Sequence, residues 1–522
     1  MGIPSYYRTL VKKIPHALQS SAPAGAAALV VDMNCMIYHV LREPAMMIYP
    51  YTGESGRLDW ERKLQNEVCS YLTHIWRSSG SPLQTFIALD GVVPYAKIKQ
   101  QRFRRFKSAS IAKSSDEHHW DTNAITPGTQ FMKAMGDALR LVGATHGWKV
   151  SDTDEPGEGE HKILQWLRVS QLQEGPIIVY GLDADLILLC LLAGDKLGVK
   201  HPIYLLREAT AFGKLIRLDE SKQAELCFFN IQTLRGSLEN RAQWTKQQFY
   251  DYVFGMSFCG NDFLPTGLSL RIRDDGHSVL MNCLQDLWKT GHHLVSIETD
   301  GHLRPNPDGL KELTKWMMFQ EERLVISMIR RKMNSPFGDN DDDNLPLMEQ
   351  SEKPLIRINF DMNTYNVRLI SNWHSIYNKL ALGDDTKDHR LRSVSNYWKG
   401  WCWILDYYQG HPVDLEWVYP SGYPPTWKDL YELFTLPAPG SFSERLPLKP
   451  QEQLALVLPM SSWGLLIKTR FRNLPYLLPQ YWPQAFRLET FGKRFGWECE
   501  PMIPMLTPER LRFEMTSMNT SN

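Results

Sequence analysis

Ile177-Ile178-Val179-Tyr180-Gly181-Leu182-Asp183-Ala184-Asp185 is the stretch on which the fold class turns. Four β-favouring apolar residues run without a polar break, then give way to a glycine and two acids. A continuously apolar run of this length suits a strand covered on both faces, as in a parallel sheet. Working outward, comparable runs lie at Ala28 to Val31, Thr85 to Leu89, Pro202 to Leu206 and Leu226 to Phe229. All five are expected to be central strands. Between them, Trp60 to Arg77, Pro127 to Thr145 and Pro156 to Leu172 carry apolar residues at helical spacing, the last two opening on a proline suited to a first helical turn. The alternation predicts an α/β domain with a mostly parallel central sheet flanked by helices.

The chain of 522 residues is long enough for a large core, which excludes a peptide hormone or a disulfide mini-scaffold. Hydrophobic residues at 43% and charged residues at 22% are ordinary globular usage, so neither a fibrous nor a disordered protein fits. Lys plus Arg equals Asp plus Glu at 58 each, so a polyanionic partner would have to be held by a local basic patch. The eight cysteines contain no CxxC pair, which argues against structural zinc and a disulfide framework and for a reducing compartment. The longest strongly apolar run, Leu186 to Ala193, is too short for a membrane span, and no signal-peptide core opens the sequence.

The polar run Gly338-Asp339-Asn340-Asp341-Asp342-Asp343-Asn344 reads as a solvated linker that divides the chain. Four segments are expected: an α/β core over 1–275, a helical extension over 276–333, an acidic linker over 334–354, and a second region over 355–522 that packs on the core. That second region is rich in Trp, Tyr and Pro, and its fold is not legible from pattern.

Several strands run into acids: Asp32 after Val31, Asp90 after Leu89, and Asp183 and Asp185 after Tyr180. In open α/β sheets the ligand crevice lies at the carboxyl ends of the strands, so these acids should converge. Glu158 and Glu160, at a helix start, and Asp262, in Gly260-Asn261-Asp262-Phe263-Leu264-Pro265, join them. For any single acid a cap or surface role is the simpler reading. Seven together would repel by roughly 4 kcal/mol per close pair at an effective dielectric of 20, which calls for hard divalent cations. Two such ions roughly 3.5 to 4 Å apart form a clamp suited to in-line attack on a phosphodiester.

Asp90 to Lys107 holds six basic residues between Lys97 and Lys107 and no neutralising acid within that span. If Pro94 opens a helix, Lys97, Gln101, Arg104 and Arg105 share one face and form a cradle for a terminal phosphate. Taken alone, a solvated basic face is the simpler reading of this stretch, since basic helical stretches are common.

These residues, with Met1-Gly2-Ile3-Pro4, Asp32-Met33-Asn34, Ile125-Thr126-Pro127-Gly128-Thr129, Trp417-Val418-Tyr419-Pro420, Glu452 to Pro459, Trp497-Glu498 and Ile503-Pro504, resemble the Xrn family of 5′ to 3′ exoribonucleases, within the flap-endonuclease-like and PIN-like nucleases. The resemblance implies that Asp32, Asp90, Glu158, Glu160, Asp183, Asp185 and Asp262 bind two Mg2+ ions, with Mn2+ able to substitute. It implies that Lys97, Gln101, Arg104 and Arg105 hold the 5′-monophosphate of single-stranded RNA, which is degraded processively to nucleoside 5′-monophosphates. Leading bases would stack on aromatic side chains. At the position where the family commonly carries a stacking His this sequence has Tyr38, with His39 next; Tyr38 or His39 would stack, together with Trp417, and an ordinary core histidine is the other reading of His39. The resemblance further implies a minimal member without the long C-terminal extension, monomeric, cytoplasmic or else nuclear, working beside decapping or other RNA-decay factors. A structure-specific flap endonuclease and a catalytically silent RNA-binding scaffold are the competing functions.

Overall fold

A computed structural model describes residues 3, 5–112, 119–211, 214–215, 224–239, 243–334, 351–361, 364–438, 447–467 and 469–520. The acidic run at 338–344 and the residues Met1, Gly2 and Pro4 lie outside the described residues.

Seven strands form the central sheet: β1 (Leu18–Gln19), β2 (Ala28–Asp32), β3 (Gln84–Ala88), β4 (Lys149–Ser151), β5 (Ile177–Tyr180), β6 (Ile203–Glu208) and β7 (Leu226–Asn230). Their order across the sheet is β1-β7-β6-β5-β2-β3-β4. The five strands β2 to β6 pair in parallel. β7, expected among the parallel strands, runs antiparallel to β6, and β1 antiparallel to β7. β6 and β7 are read correctly as strands; their connection, which includes a short hairpin, contains no described crossover helix, and without one the returning strand reverses direction. β4, three residues at the edge, is too short to register as an apolar run.

The helices used below are α1 (Met33–Val40), α2 (Arg57–Ser78), α3 (Tyr95–Ala112), α4 (Gln130–His146), α5 (Gly159–Val169), α6 (Asp185–Leu197), α7 (Pro307–Met333), α8 (Lys387–Gln409) and α9 (Trp427–Glu432). α4 and α5 begin three residues later than their prolines suggest. Gly128 and Gly157, each directly after the proline, have φ of 91° and 110°, which a right-handed helix cannot contain. The Thr129 hydroxyl then caps α4 by accepting from Met132 N at 3.2 Å.

The strand side chains alternate between two buried cores. Leu29, Val31, Ile87, Ile178 and Tyr180 pack on one side with α1, α2 and α4. Val30, Phe86, Ala88, Ile177 and Val179 face the other side, where α5 and α6 merge with the second region. There Trp398, Trp401, Trp403 and Trp427, carried by α8 and α9, are among the largest fully buried side chains. Phe258 stacks on Trp401 at 5.8 Å and meets Trp427 edge-on at 5.8 Å. A third core joins α3 to residues 454–458, Trp463, Leu474, Trp482, Leu506 and Leu511. The Trp- and Tyr-rich region is therefore packed against the sheet domain on two fronts. All eight cysteines are free thiols, and no described helix is long and apolar enough to cross a membrane.

Candidate active site

The parallel strands deliver their acids to one edge. Asp32 closes β2 in register with Ala88, the end of β3, and Asp90 follows two residues on. Asn34, in the first turn of α1, clamps Asp90 from both sides: its Nδ2 donates to Asp90 Oδ2 at 3.0 Å, and Asp90 N donates to Asn34 Oδ1 at 3.1 Å. Gly159 N, opening α5, donates to Asp90 Oδ1 at 2.7 Å, as suits a carboxylate at a helix N-terminus. A Cβ on Gly159 would meet Asp32 Oδ1 at 2.8 Å, so only glycine lets this helix start come so close to both acids. Lys162 Nζ, one turn along α5, donates to Leu89 O at 2.8 Å and Asp152 O at 2.7 Å and fixes the backbone before Asp90.

Glu160, Asp183 and Asp185 each offer an oxygen within 4.8 Å of the others. Asp32 Oδ1, Glu160 Oε2 and Asp185 Oδ1 are buried with no hydrogen-bond partner among the described residues. Burial, then the charges of Asp90 and Asp183, hold the Asp32 carboxyl well above its ordinary range. Burial and Asp185 do the same to Glu160. Asp185 is pushed up to about 7 by burial, Asp262 and Asp183. Burial also raises Asp90 and Glu158. Orphaned, mutually repelling carboxylate oxygens are the donor set a hard cation takes, so these residues could hold a metal ion.

Lys97 lies among the acids. Its Nζ is 2.6 Å from Asp262 Oδ2, 2.7 Å from Glu158 Oε2 and 4.0 Å from Glu160 Oε1. Burial alone would lower its pKa, but Asp262, Glu158, Glu160 and Asp185 outweigh that and hold it well above the usual lysine value. It is a buried hub of ion pairs. Gln100 Nε2 donates to Asp262 Oδ1 at 3.0 Å, and Tyr407 OH from α8 donates to Glu158 Oε1 at 2.7 Å.

Of the other cradle residues, Gln101 is buried against the second region, where Gln453 Nε2 donates to its Oε1 at 3.5 Å. Arg104 is exposed and lies within electrostatic reach of Asp183 and Arg105. Arg105 is buried, its Nη1 has no partner among the described residues, and burial lowers its guanidinium to about 10. The rest of the basic stretch binds the second region: Lys99 donates to Tyr419 O and Ser421 O, Arg102 to Leu456 O and Tyr481 O, and Lys107 to Gly496 O and Cys499 O.

The aromatics divide. Tyr38 is half-buried, and its hydroxyl is close enough to Arg105 to act on its charge. His39 is a core residue: its ring tilts onto Tyr71 at 4.9 Å, and its Nε2 lies 3.3 Å from Glu43 and 3.7 Å from Glu208. These contacts support the core reading of His39. Trp417 is 6% exposed, stacked on Trp403 at 5.4 Å and so close to Gly400 that a Cβ there would meet its ring at 2.6 Å; it too belongs to the core. Asn34, Gln100, Lys162 and Tyr407 are the functional-site residues that pattern reading missed. Asn34 and Lys162 had a signal, since both stand inside acidic motifs already singled out; Tyr407 had none beyond the aromatic richness of its region.

Comparison with known proteins bears on this site. A family described as "XRN 5'-3' exonuclease N-terminus" matches residues 1–209, and "Xrn1 helical domain" matches residues 359–521. The chain is similar to human 5'-3' exoribonuclease 1, with 26% identity covering 100% of this chain and 34% of that protein. It is also similar to chicken 5'-3' exoribonuclease 2, at 25% identity over 98% of this chain and 69% of the relative, and to the Arabidopsis thaliana protein of the same name, at 24% over 98% and 66%. It thus spans about a third of the human relative's length and about two thirds of the other two. With both regions matched and the acids gathered at the strand ends, the chain belongs to the XRN 5'-3' exonuclease family.

Proposed function

We propose that this protein is a divalent-metal-dependent exoribonuclease that hydrolyses 5′-monophosphorylated single-stranded RNA from its 5′ end, processively, to nucleoside 5′-monophosphates. The relatives' names supply RNA and direction. The observation that carries the chemistry is the set of buried carboxylate oxygens on Asp32, Glu160 and Asp185 that have no protein partner. Those acids, with Asp90 and Asp183, would hold magnesium, or manganese in its place, and the bound ions would supply the charge that activates water and stabilises the leaving oxygen.

Arg105, buried with a spare guanidinium nitrogen, and exposed Arg104 would take the 5′-phosphate. They lie about two helical turns, or ~12 Å of rise, along α3 from Lys97. Tyr38 would stack on a leading base. Lys97 would bridge the two halves of the site, its charge offsetting the acids before the substrate arrives.

The test uses matched RNAs ending in 5′-monophosphate, triphosphate or hydroxyl, with Mg2+ and with chelator. Labelled mononucleotide should appear only with metal, and fastest from the monophosphate. Labelled oligonucleotides would instead indicate a flap endonuclease, and binding without cleavage a scaffold.

A further inference from the structure

Among the described residues, the second region hydrogen-bonds one of the acids through the hydroxyl of Tyr407. Tyr407, in the last turns of α8, donates to Glu158 Oε1 at 2.7 Å, and Lys97 Nζ is 2.7 Å from Glu158 Oε2. Both oxygens of this buried carboxylate are thus taken by side-chain donors. Asp262 is held in the same way, by Lys97 on Oδ2 and Gln100 on Oδ1. Asp32, Glu160 and Asp185 differ, each keeping one oxygen without a partner. Glu158 and Asp262, like Asp90, therefore differ from Asp32, Glu160 and Asp185 in the state of their oxygens, a distinction their sequence motifs do not carry.

The hydroxyl of Tyr407 is aimed by a column of rings. Its own ring lies 3.6 Å from His161, centroid to centroid, and 4.6 Å from Trp403 at 26°. Phe263, next to Asp262, meets it edge-on at 5.4 Å. Trp403 is fixed in turn by stacking on Trp417 and by donating from Nε1 to Asp414 O at 2.9 Å. Such packing leaves the phenol little freedom, and a group so placed orients whatever it bonds.

The geometry points to Tyr407 as a positioning residue for the divalent-cation site: with Lys97 it fixes the orientation of the Glu158 carboxylate, and through it holds Lys97 beside the orphaned acids. This rests on the exoribonuclease reading above. Glu158 is then held in one orientation beside Glu160, Asp183 and Asp185, whose oxygens gather within 4.8 Å of one another. The active site is completed by a residue 249 positions away from the acid it serves.

The test is Tyr407→Phe in the full chain, which keeps the ring column and removes only the hydroxyl. Mn2+ binding by titration calorimetry should weaken about 10-fold, within the range found when a metal ligand's outer partner is lost. kcat on 5′-monophosphorylated RNA should fall about 10- to 100-fold with KM unchanged, while the metal-free melting temperature stays near that of the wild type. Glu158→Gln should give the same signature, and the double variant should be no worse than the worse single one, because both changes break one unit. A Tyr407→Phe protein with wild-type Mn2+ affinity and kcat, or losses that add in the double variant, would overturn the role of Tyr407 and leave the exoribonuclease reading standing. A wild type that neither binds Mn2+ nor releases mononucleotides would overturn both.

Discussion

At Arg105, deep burial coincides with a guanidinium nitrogen that has no partner among the described residues. A buried charged donor left unsatisfied is costly, and a charge-assisted bond to phosphate is worth about 1.5–3 kcal/mol. Arg105→Ala should therefore raise KM for 5′-monophosphorylated RNA about 10- to 100-fold and leave 5′-hydroxyl RNA nearly unaffected; equal losses on both substrates would remove the phosphate role. Glu489 makes a different kind of prediction. It is buried, with Glu500 opposite it across a two-stranded hairpin, and burial followed by Glu500 pushes its carboxyl up to about 7, against the pull of Lys493 and Lys99. Between pH 4.5 and 7 the folded state holds a proton that the unfolded chain has lost. Stability therefore falls as pH rises through that window, by up to about 3 kcal/mol, and the penalty is complete above pH 7. Glu489→Gln should melt higher than the wild type at pH 8 and match it near pH 4.5. A gain of equal size at both pH values would show packing, not ionisation, at work.

At the scale of the element, α3 shows how one helix serves two regions. Lys97 pairs with the acids and Arg104 lies within electrostatic reach of Asp183, whereas Lys99, Arg102 and Lys107 donate to main-chain carbonyls of the second region. Arg102 is fully buried, with its guanidinium 4.3 Å from the Phe106 ring and 5.3 Å from that of Trp482. Arg102→Met should destabilise the protein by about 3 kcal/mol in denaturant titration, since two carbonyls lose a charged donor. The folded fraction should keep its preference for monophosphate ends; losing that preference with stability intact would place Arg102 in the site instead. The sequence spacing grouped Lys97, Gln101, Arg104 and Arg105 on one face of α3, but it could not show that Gln101, Lys99, Arg102 and Lys107 meet the second region, because those partners lie beyond residue 415. Strands were legible because a sheet covered on both sides demands unbroken apolar runs. The direction of β7 was not, since it depends on a connection and not on the strand's own residues. The prolines marked helix starts only to within a turn, because the glycines after them impose a backbone no helix accepts. Of the site, the acids stood out as a group ending strands, while Tyr407 reaches Glu158 only through tertiary packing.

Over the whole molecule, the acids come from the ends of β2, β3 and β5, the start of α5 and the Asp262 turn, so a cation bound among them ties together most of the sheet domain. An unfolded chain offers no such site, and binding should therefore appear as folding stability: about 2.7 kcal/mol at a metal concentration 100 times Kd. Melting should rise on adding Mg2+ and fall back with chelator. Asp185→Asn separates this linkage from ordinary packing. Asp185 is raised to about 7 by burial and by its acidic neighbours, so near pH 8 the wild type carries a repelling charge that the asparagine lacks. The metal-free variant should melt at or above the metal-free wild type, yet gain little or nothing from Mg2+, and it should lose mononucleotide release. A variant that still gains the full Mg2+ shift would show that the ion binds elsewhere, and one that melts well below the metal-free wild type would show that Asp185 supports the fold more than it burdens it.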